Sequence, residues 1–398
     1  MVLRRFLDLL RAPSDSAATV ERKASRAAAL IALHGAGQPV WSPRDYAALA
    51  REGYARNPVV HRCVRMVAEA AASVPFLLYD GAQELDTHPL LDLLARPNAA
   101  QGGADLFETV YGHLLVAGNA YLEQVPNNGV PRELHALRPD RIKVVPGDAG
   151  WPVAFDYTAH GRTLRIGAET DDGIAPVRQL KLFHPLNDHY GFAPVEAAQV
   201  SLDIHNAASA WNKALLDNAA RPSGALVYGA AEAANLSAEQ FDRLRAELED
   251  GYQGARNAGR PLLLEGGLDW KPMGLTPKDM DFIEAKREAA REIALAFGVP
   301  PMLLGIPGDN TYANFQEASR AFWRQTVLPL VRRTGLALGA WLGPAHGGAL
   351  RLEPDLDAVE ALSVEREALW RRLAAADFLS RDEKRQAVGY GVGPEADA

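Results

Sequence analysis

An α+β architecture of several parts is expected for this 398-residue chain, on three grounds. Capped helical segments surround a stretch of short strand-like runs between residues 119 and 184. Past residue 194 that stretch gives way to long helices. A small strand-containing insert, beginning near Arg221, separates two of them. At about 100–200 residues per domain, the length suits two or three domains or one elaborated one.

Residues 1–54 read as an N-terminal arm. Met1–Arg11 is a basic amphipathic stretch with Leu3, Phe6, Leu7 and Leu10 on one face, and residues 12–40 are rich in Ala, Ser and Arg. The apolar part is too brief and interrupted for a secretory signal. Asn57 is an N-cap candidate and Pro58 suits the first helical position. Val60, Val64, Val67 and Ala71 then share a face, and Pro75 stops the helix ahead of a strand at Phe76–Tyr79. A second helix is expected from about Ala104 to Ala117, ended by Gly118. Tyr121–Val125 leads into Asn127-Asn128-Gly129, a hairpin turn signal. Arg141–Val145, Val153–Tyr157, Thr163–Ile166 and Leu180–His184 are further short strands.

Pro194 to Asn218 reads as one long helix, about 40 Å at 1.5 Å per residue. Gln199, Asp203, Asn206, Lys213 and Asp217 trace a narrow polar stripe; most of the rest is Ala, Val, Leu, Ile or Trp211. A helix so widely apolar is covered on several sides. The insert reads strand (Gly224–Tyr228), helix (Ser237–Tyr252, with a Ser237–Gln240 capping box), strand (Pro261–Glu265), strand (Leu268–Pro272). Thr276 and Pro277 open a helix on which Met280, Ile283, Ala290, Ile293 and Phe297 share a face, ended by Gly298 and Pro300. A loop follows to Ala313. Asn314 and Glu317 are spaced as a capping box for a helix running to about Trp341, with a kink expected at Pro329. Leu350–Glu353 suits a strand. Asp355 is placed to cap a helix carrying Val359, Leu362, Leu369 and Leu373, and Ser380 with Glu383 boxes a terminal helix.

Composition narrows function. The net charge of −8 argues against a protein that grips nucleic acid over its whole surface, because such binding rests on cations replacing phosphate counterions. It leaves room for a surface past which DNA slides. Cys63 is the single cysteine, so an intramolecular disulfide and Cys-based zinc sites are out. No apolar run reaches the ~20 residues of a membrane span.

Catalytic signatures are missing. The sequence has no G-x-x-x-x-G-K-[ST], no G-x-S-x-G, no H-E-x-x-H, and no G-x-G-x-x-G after a strand. His184, Asp188 and His189 form the best metal-like group, more simply read as a strand end and polar loop. Asp279 with Asp281, and Asp355 with Asp357, are acidic pairs of the kind favoured in first helical turns. Asn235-Leu236-Ser237 matches a sequon but reads as a helix start. Glu284, Arg287, Glu288 and Arg291, with Glu292, form a charged helix face: either a solvated face with i, i+3/i+4 pairs or one lining an aqueous channel.

Phe297-Gly298-Val299-Pro300-Pro301-Met302-Leu303-Leu304-Gly305, followed by Thr311-Tyr312-Ala313-Asn314-Phe315-Gln316-Glu317-Ala318, resembles the signature of phage portal proteins of the Hong Kong 97 type. Asn57-Pro58-Val59-Val60, Gly118-Asn119-Ala120-Tyr121, Tyr190–Ala198, Arg221-Pro222-Ser223-Gly224 and Gly259–Gly267 agree, in the family's order, over about residues 55–390. The family usually has Ser at the position of Ala313 and often Asn-Gly at Asn218-Ala219. The compact, Ala/Arg-rich chain is similar to portals of gene transfer agents as well as prophages.

The resemblance implies a multidomain ring subunit in a twelve-copy ring that is structural and not enzymatic, with no cofactor and no metal. Its parts would be a wing at 55–194, stem helices at 195–220 and 276–298, and a clip at 221–275. A tunnel loop at 299–313, a second wing part at 314–353 and a crown at 354–398 complete them. Ile306, Pro307, Gly308, Asp309, Asn310, Thr311 and Tyr312 would approach the DNA, and Glu284, Arg287, Glu288 and Arg291 would face the channel. Implied partners are double-stranded DNA, the major capsid protein, the large terminase and the head–tail connector, in a particle assembled in the bacterial cytoplasm without a membrane. Twelve copies at −8 would carry about −96, repelling phosphate on average. The rival readings are a DNA-acting metal-dependent enzyme and a monomeric adaptor protein.

Overall fold

The computed structural model describes residues 45–169, 174–217, 224–228, 239, 242–243, 268–272, 282–307 and 312–392. The chain divides into a smaller unit, residues 1–36 and 213–276, and a larger one, residues 37–212 and 277–398. In the smaller unit two of the expected strands are present, at Gly224–Tyr228 and Leu268–Pro272, paired antiparallel with Leu226 opposite Trp270. Helical positions 239 and 242–243 fall where the Ser237–Tyr252 helix is expected. The Met1–Arg11 and 12–40 segments, the Ser237–Gln240 box and sequon, the Pro261–Glu265 strand, Thr276–Asp281 and Gly308–Thr311 lie outside the described residues.

The larger unit opens with helix α1 (Tyr46–Ala48), capped by Asp45, whose carboxylate accepts from the Ala48 amide at 2.8 Å; it runs on as a π-helix over Leu49–Ala55. The sequence reading has no element here, because a wide turn through Gly53 breaks the 3.6-residue period. Leu49 and Gly53 are nonetheless buried. Helix α2 (Pro58–Ala72) starts at the expected cap: Asn57 Oδ1 accepts from the amides of Val59 and Val60 at 3.0 and 3.1 Å. Its face of Val60, Cys63, Val64, Val67 and Ala71 is buried, and each such valine contributes about 1.5–3 kcal/mol.

Strand β1 (Phe76–Asp80) pairs with β2 (Gln83–Leu85) and with a strand almost three hundred positions later, giving one three-stranded antiparallel sheet. Helix α3 (Pro89–Ala95) is unanticipated. Its cap is His88, whose Nδ1 accepts from Leu90 N at 3.1 Å, an unusual capping side chain. Helix α4 (Gly103–Ala117) ends at Gly118, which adopts φ +69. A Cβ there would lie 2.4 Å from the Gly191 carbonyl oxygen, so the position demands glycine for both backbone angle and space.

Strands β3 (Asn119–Asn127) and β4 (Val130–Leu137) form the hairpin announced by Asn127-Asn128-Gly129; Asn128 and Gly129 take φ 53 and 78, as a type I′ turn requires. The β4 strand itself escapes a sequence reading because Pro131 interrupts it. Strand β8 (Val177–Lys181) lies on the other side of β3 and begins three residues before the expected Leu180–His184 run. Strands β5 (Ile142–Pro146), β6 (Pro152–Ala159) and β7 (Arg162–Gly167) make a third sheet. Its inner face, Val144 and Phe155, packs with Tyr121 and Val177.

The expected single helix from Pro194 is two: α5 (Pro194–Ala197) and α6 (Gln199–Asp217), with a turn at Ala198. Part of the polar stripe of this helix faces inward. Gln199 of the polar stripe is buried at 7% exposure and Asn206 is bonded inward, whereas Val200 and Ile204 are 56% and 40% exposed. At Asn206 the stripe meets buried polar groups, while Lys213 meets water.

Helix α7 (Phe282–Ala296) buries Ala290, Ile293 and Phe297 as expected, while Ile283 near its start is exposed. Gly298, φ +65, ends it. The next helix, α8 (Tyr312–Phe322), starts two residues before the Asn314 cap, so Tyr312 and Ala313 belong to its first turn and Asn314 lies inside it. A π-helical turn, Trp323–Val327, then joins it to α9 (Leu328–Leu342). That turn absorbs Pro329, whose missing N–H falls in the first turn of α9 where no intrahelical donor is needed.

Strand β11 (Leu350–Pro354), after β9 and β10 at 224–228 and 268–272, is the distant partner of β1, from Phe76 opposite Pro354 to Asp80 opposite Leu350. Asp355 does not cap a helix. It accepts from Asp357 N at 2.9 Å in a turn, and α10 (Ser363–Ala374) starts later, behind buried Val359 and Leu362. The Ser380–Glu383 box opens α11 (Arg381–Val388) as expected.

Candidate functional site

The inner side of α7 (Ala289, Ala290, Ile293, Ala294) is buried, which turns Glu284, Arg287 and Glu288 outward with Arg291 at the margin. Glu284 and Arg287 stand 3.7 Å apart, and Glu288 and Arg291 2.8 Å. Each acid precedes its base, the favourable order, worth a few tenths of a kcal/mol at about 0.2–0.5 per pair. The four charges cancel. Such a face presents fixed charge to water without the net positive potential that would hold a phosphate chain.

Arg291 does a second job. Its other guanidinium nitrogen donates to the Pro307 carbonyl at 2.9 Å, tying the following loop to this face. Inside that loop Pro301–Leu304 form a 3-10 turn, Gly305 takes φ +72, and Ile306 N donates to Pro301 O at 3.2 Å. Thr326 closes the other side by donating to Gly298 O at 2.6 Å. Ile306 is half-buried and Pro307 exposed. The geometry therefore joins Pro307 to the charged face. Of the other expected loop residues, Gly308, Asp309, Asn310 and Thr311 lie outside the described residues, and Tyr312 opens α8.

A buried polar node fixes α6. Asn57 Nδ2 donates to His205 Nδ1 at 3.1 Å and to Asn206 Oδ1 at 3.0 Å, and Asn206 Nδ2 donates to Glu52 O at 2.9 Å. An amide nitrogen only donates, so His205 Nδ1 must accept and the imidazole is neutral. Burial, helped by the Lys286 charge, lowers its pKa. Ser201 also donates to Glu292 of α7. Sequence reasoning missed this node; Asn206 gave the signal only as a member of a polar stripe whose partners the sequence does not name. The opposite side of α6 leaves Val200, Ile204 and Ala207 exposed at 3/4 spacing.

His184 Nδ1 accepts from Leu186 N at 3.0 Å, and the Asp188 carbonyl accepts from Lys181. Asp357 is bound by Arg366 and by the Tyr390 hydroxyl, and the Arg366 hydrogen bond, foremost, holds its carboxyl below the usual range. No group of three metal-ligating side chains occurs among the described residues. Burial pushes the Cys63 thiol up to about 12, away from a reactive thiolate. No helix among the described residues is long and apolar enough to cross a membrane.

Comparison with known proteins converges. The family model for phage portal protein matches residues 58–389. A chain in the neck of a native gene transfer agent particle with C12 symmetry is 58% identical, with a TM-score of 0.66; the match covers 89% of this chain and 96% of that one. An uncharacterized protein of Rickettsia bellii is 42% identical over 85% of this chain and 88% of its own length. The portal protein of Enterobacteria phage HK97 is 24% identical over 82% of this chain and 77% of its own. With a match running from the Pro58 helix start to the end of α11, the chain belongs to the phage portal protein family.

Proposed function

We propose that twelve copies of this chain close into a ring at one vertex of a phage-like particle, a gene transfer agent neck, and that double-stranded DNA passes through the centre. The observation that carries this reading is the 58% identity, across 89% of the chain, to a subunit of a C12 neck. Closure needs two different complementary surfaces on each subunit. The exposed Val200–Ile204–Ala207 strip of α6 is a candidate for one of them.

In this reading the balanced face of Glu284, Arg287, Glu288 and Arg291 lines the channel, and Ile306 to Tyr312 form the constriction, held at Pro307 by Arg291. The 221–275 insert meets the large terminase during filling and the head–tail connector afterwards; the wing segments, 55–194 and 314–353, meet the major capsid protein. The protein works as a structural conduit, not as an enzyme. Deleting Asp309–Thr311 tests the loop: packaged DNA in purified particles should fall or leak while rings persist. Normal packaging by that variant would refute the loop's role. Insert-deleted rings should lose terminase in a pull-down, and undiminished capture would refute the insert's role.

A further inference from the structure

We infer that a pocket of about 240 Å³ between β8 and α9 binds a phosphate-class oxyanion. Arg178 lines it from the strand and Arg333 from the helix, beside Leu114, Leu180 and Leu330; Lys181, on the other face of the strand, turns its ammonium to the Asp188 carbonyl. No acidic residue lines the pocket. Neither guanidinium forms an ion pair with a described residue: Arg333 donates to the Lys181 carbonyl, and Arg178 Nε is buried without an acceptor.

Several other described arginines are paired, although some at the surface, such as Arg62 and Arg132, are not. Arg165, Arg291, Arg320, Arg324, Arg366 and Arg385 each meet a carboxylate. Two like charges lining one apolar-floored pocket repel one another, more strongly as the local dielectric falls. A buried guanidinium N–H without an acceptor adds a desolvation cost. One oxyanion relieves both. Guanidinium forks match its oxygens in bidentate fashion. The Gln179 amide is already spent on Asn119, Tyr121 and the His189 carbonyl, so the cations are the donors left for a ligand. Donors arriving from two elements suit a tetrahedral anion better than a planar carboxylate. The anion's source is either free inorganic phosphate or a terminal phosphate on a DNA end. This inference stands apart from the ring reading, since it concerns a pocket inside one subunit.

The test is calorimetric titration of the full-length protein with inorganic phosphate in chloride buffer at constant ionic strength. One saturable site per chain is expected, weakened at least about tenfold in Arg178→Gln and in the exposed Arg333→Gln. Arg178→Lys should retain part of the affinity, and Arg371→Gln, outside the pocket, all of it. A parallel titration compares a short oligonucleotide with and without a 5′-phosphate. Preference for the phosphorylated strand assigns the site to DNA ends, and binding of inorganic phosphate alone assigns it to the free ion; both support the site. Equal binding by wild type and both Gln variants means an adventitious ion only and overturns the inference. So does acetate that competes as well as phosphate. Near-UV circular dichroism in chloride verifies that each variant is folded, and ring formation is scored separately, so the two readings can fail independently.

Discussion

Replacing Asn57 should uncouple helix α6 from helix α2. Asn57 is fully buried and makes four hydrogen bonds: it accepts from Val59 N and Val60 N and donates to His205 Nδ1 and Asn206 Oδ1. Loss of an N-cap costs about 1 kcal/mol. Each buried acceptor left without its donor costs about 1 kcal/mol at the low end. Asn57→Ala should therefore lose about 3 kcal/mol, read as a lower urea midpoint by far-ultraviolet circular dichroism. Asn57→Asp separates the terms. Its carboxylate keeps the cap and gives up both donors, so it should lose about 2 kcal/mol at pH 8 by the same accounting. That loss should shrink toward pH 6, because His205 can then protonate and pair with the new carboxylate. A loss under about 0.5 kcal/mol for Asn57→Ala, the range of ordinary surface changes, would refute the node. So would an aspartate variant as damaged as the alanine one at every pH.

Two further predictions concern the same unit. Burial drives the His113 imidazole down to about 4 from 6.5, with Asp140 and Arg138 as smaller opposing influences. The unfolded chain therefore takes up the proton first as pH falls, so this contribution is whole above about 6.5 and disappears between there and about 4. It amounts to roughly 3 kcal/mol. His113→Leu should remove that share of the acid sensitivity, leaving the part due to His205; an unchanged slope of stability against pH would contradict it. Gly118→Ala must adopt φ +69 and place Cβ 2.4 Å from Gly191 O, so it should cost more than about 2 kcal/mol in thermal unfolding, and a neutral result would contradict the close approach.

Local chemistry was the legible part of the sequence. Asn57-Pro58, Gly118, Asn128-Gly129, Gly298 and Ser380–Glu383 each force a particular backbone state, and the structure has the turn or cap expected at each. The elements missed were those without such a mark: the π-helical 49–55 segment, the His88-capped helix and a strand broken by Pro131. Two motifs misled because their spacing also occurs inside other structures. Asn314 and Glu317 lie within a helix already begun, and Asp355 forms a turn of its own. Periodicity on α6 showed the polar stripe but not its partners, because such a stripe has two destinations, water or buried polar groups. The charged face of α7 was readable from Glu284 to Arg291. The tie from Arg291 to Pro307 was not, since a side chain reaching a backbone carbonyl sixteen residues on leaves no pattern in sequence.

Imaging the purified protein by negative-stain electron microscopy, with its mass from light scattering, tests the central claim most directly. Twelve subunits of 43.0 kDa predict annular particles of about 520 kDa with twelvefold end views and an open centre wide enough for a duplex. Isolated 43.0 kDa subunits under every salt and concentration tried, with no annuli in the images, would contradict it.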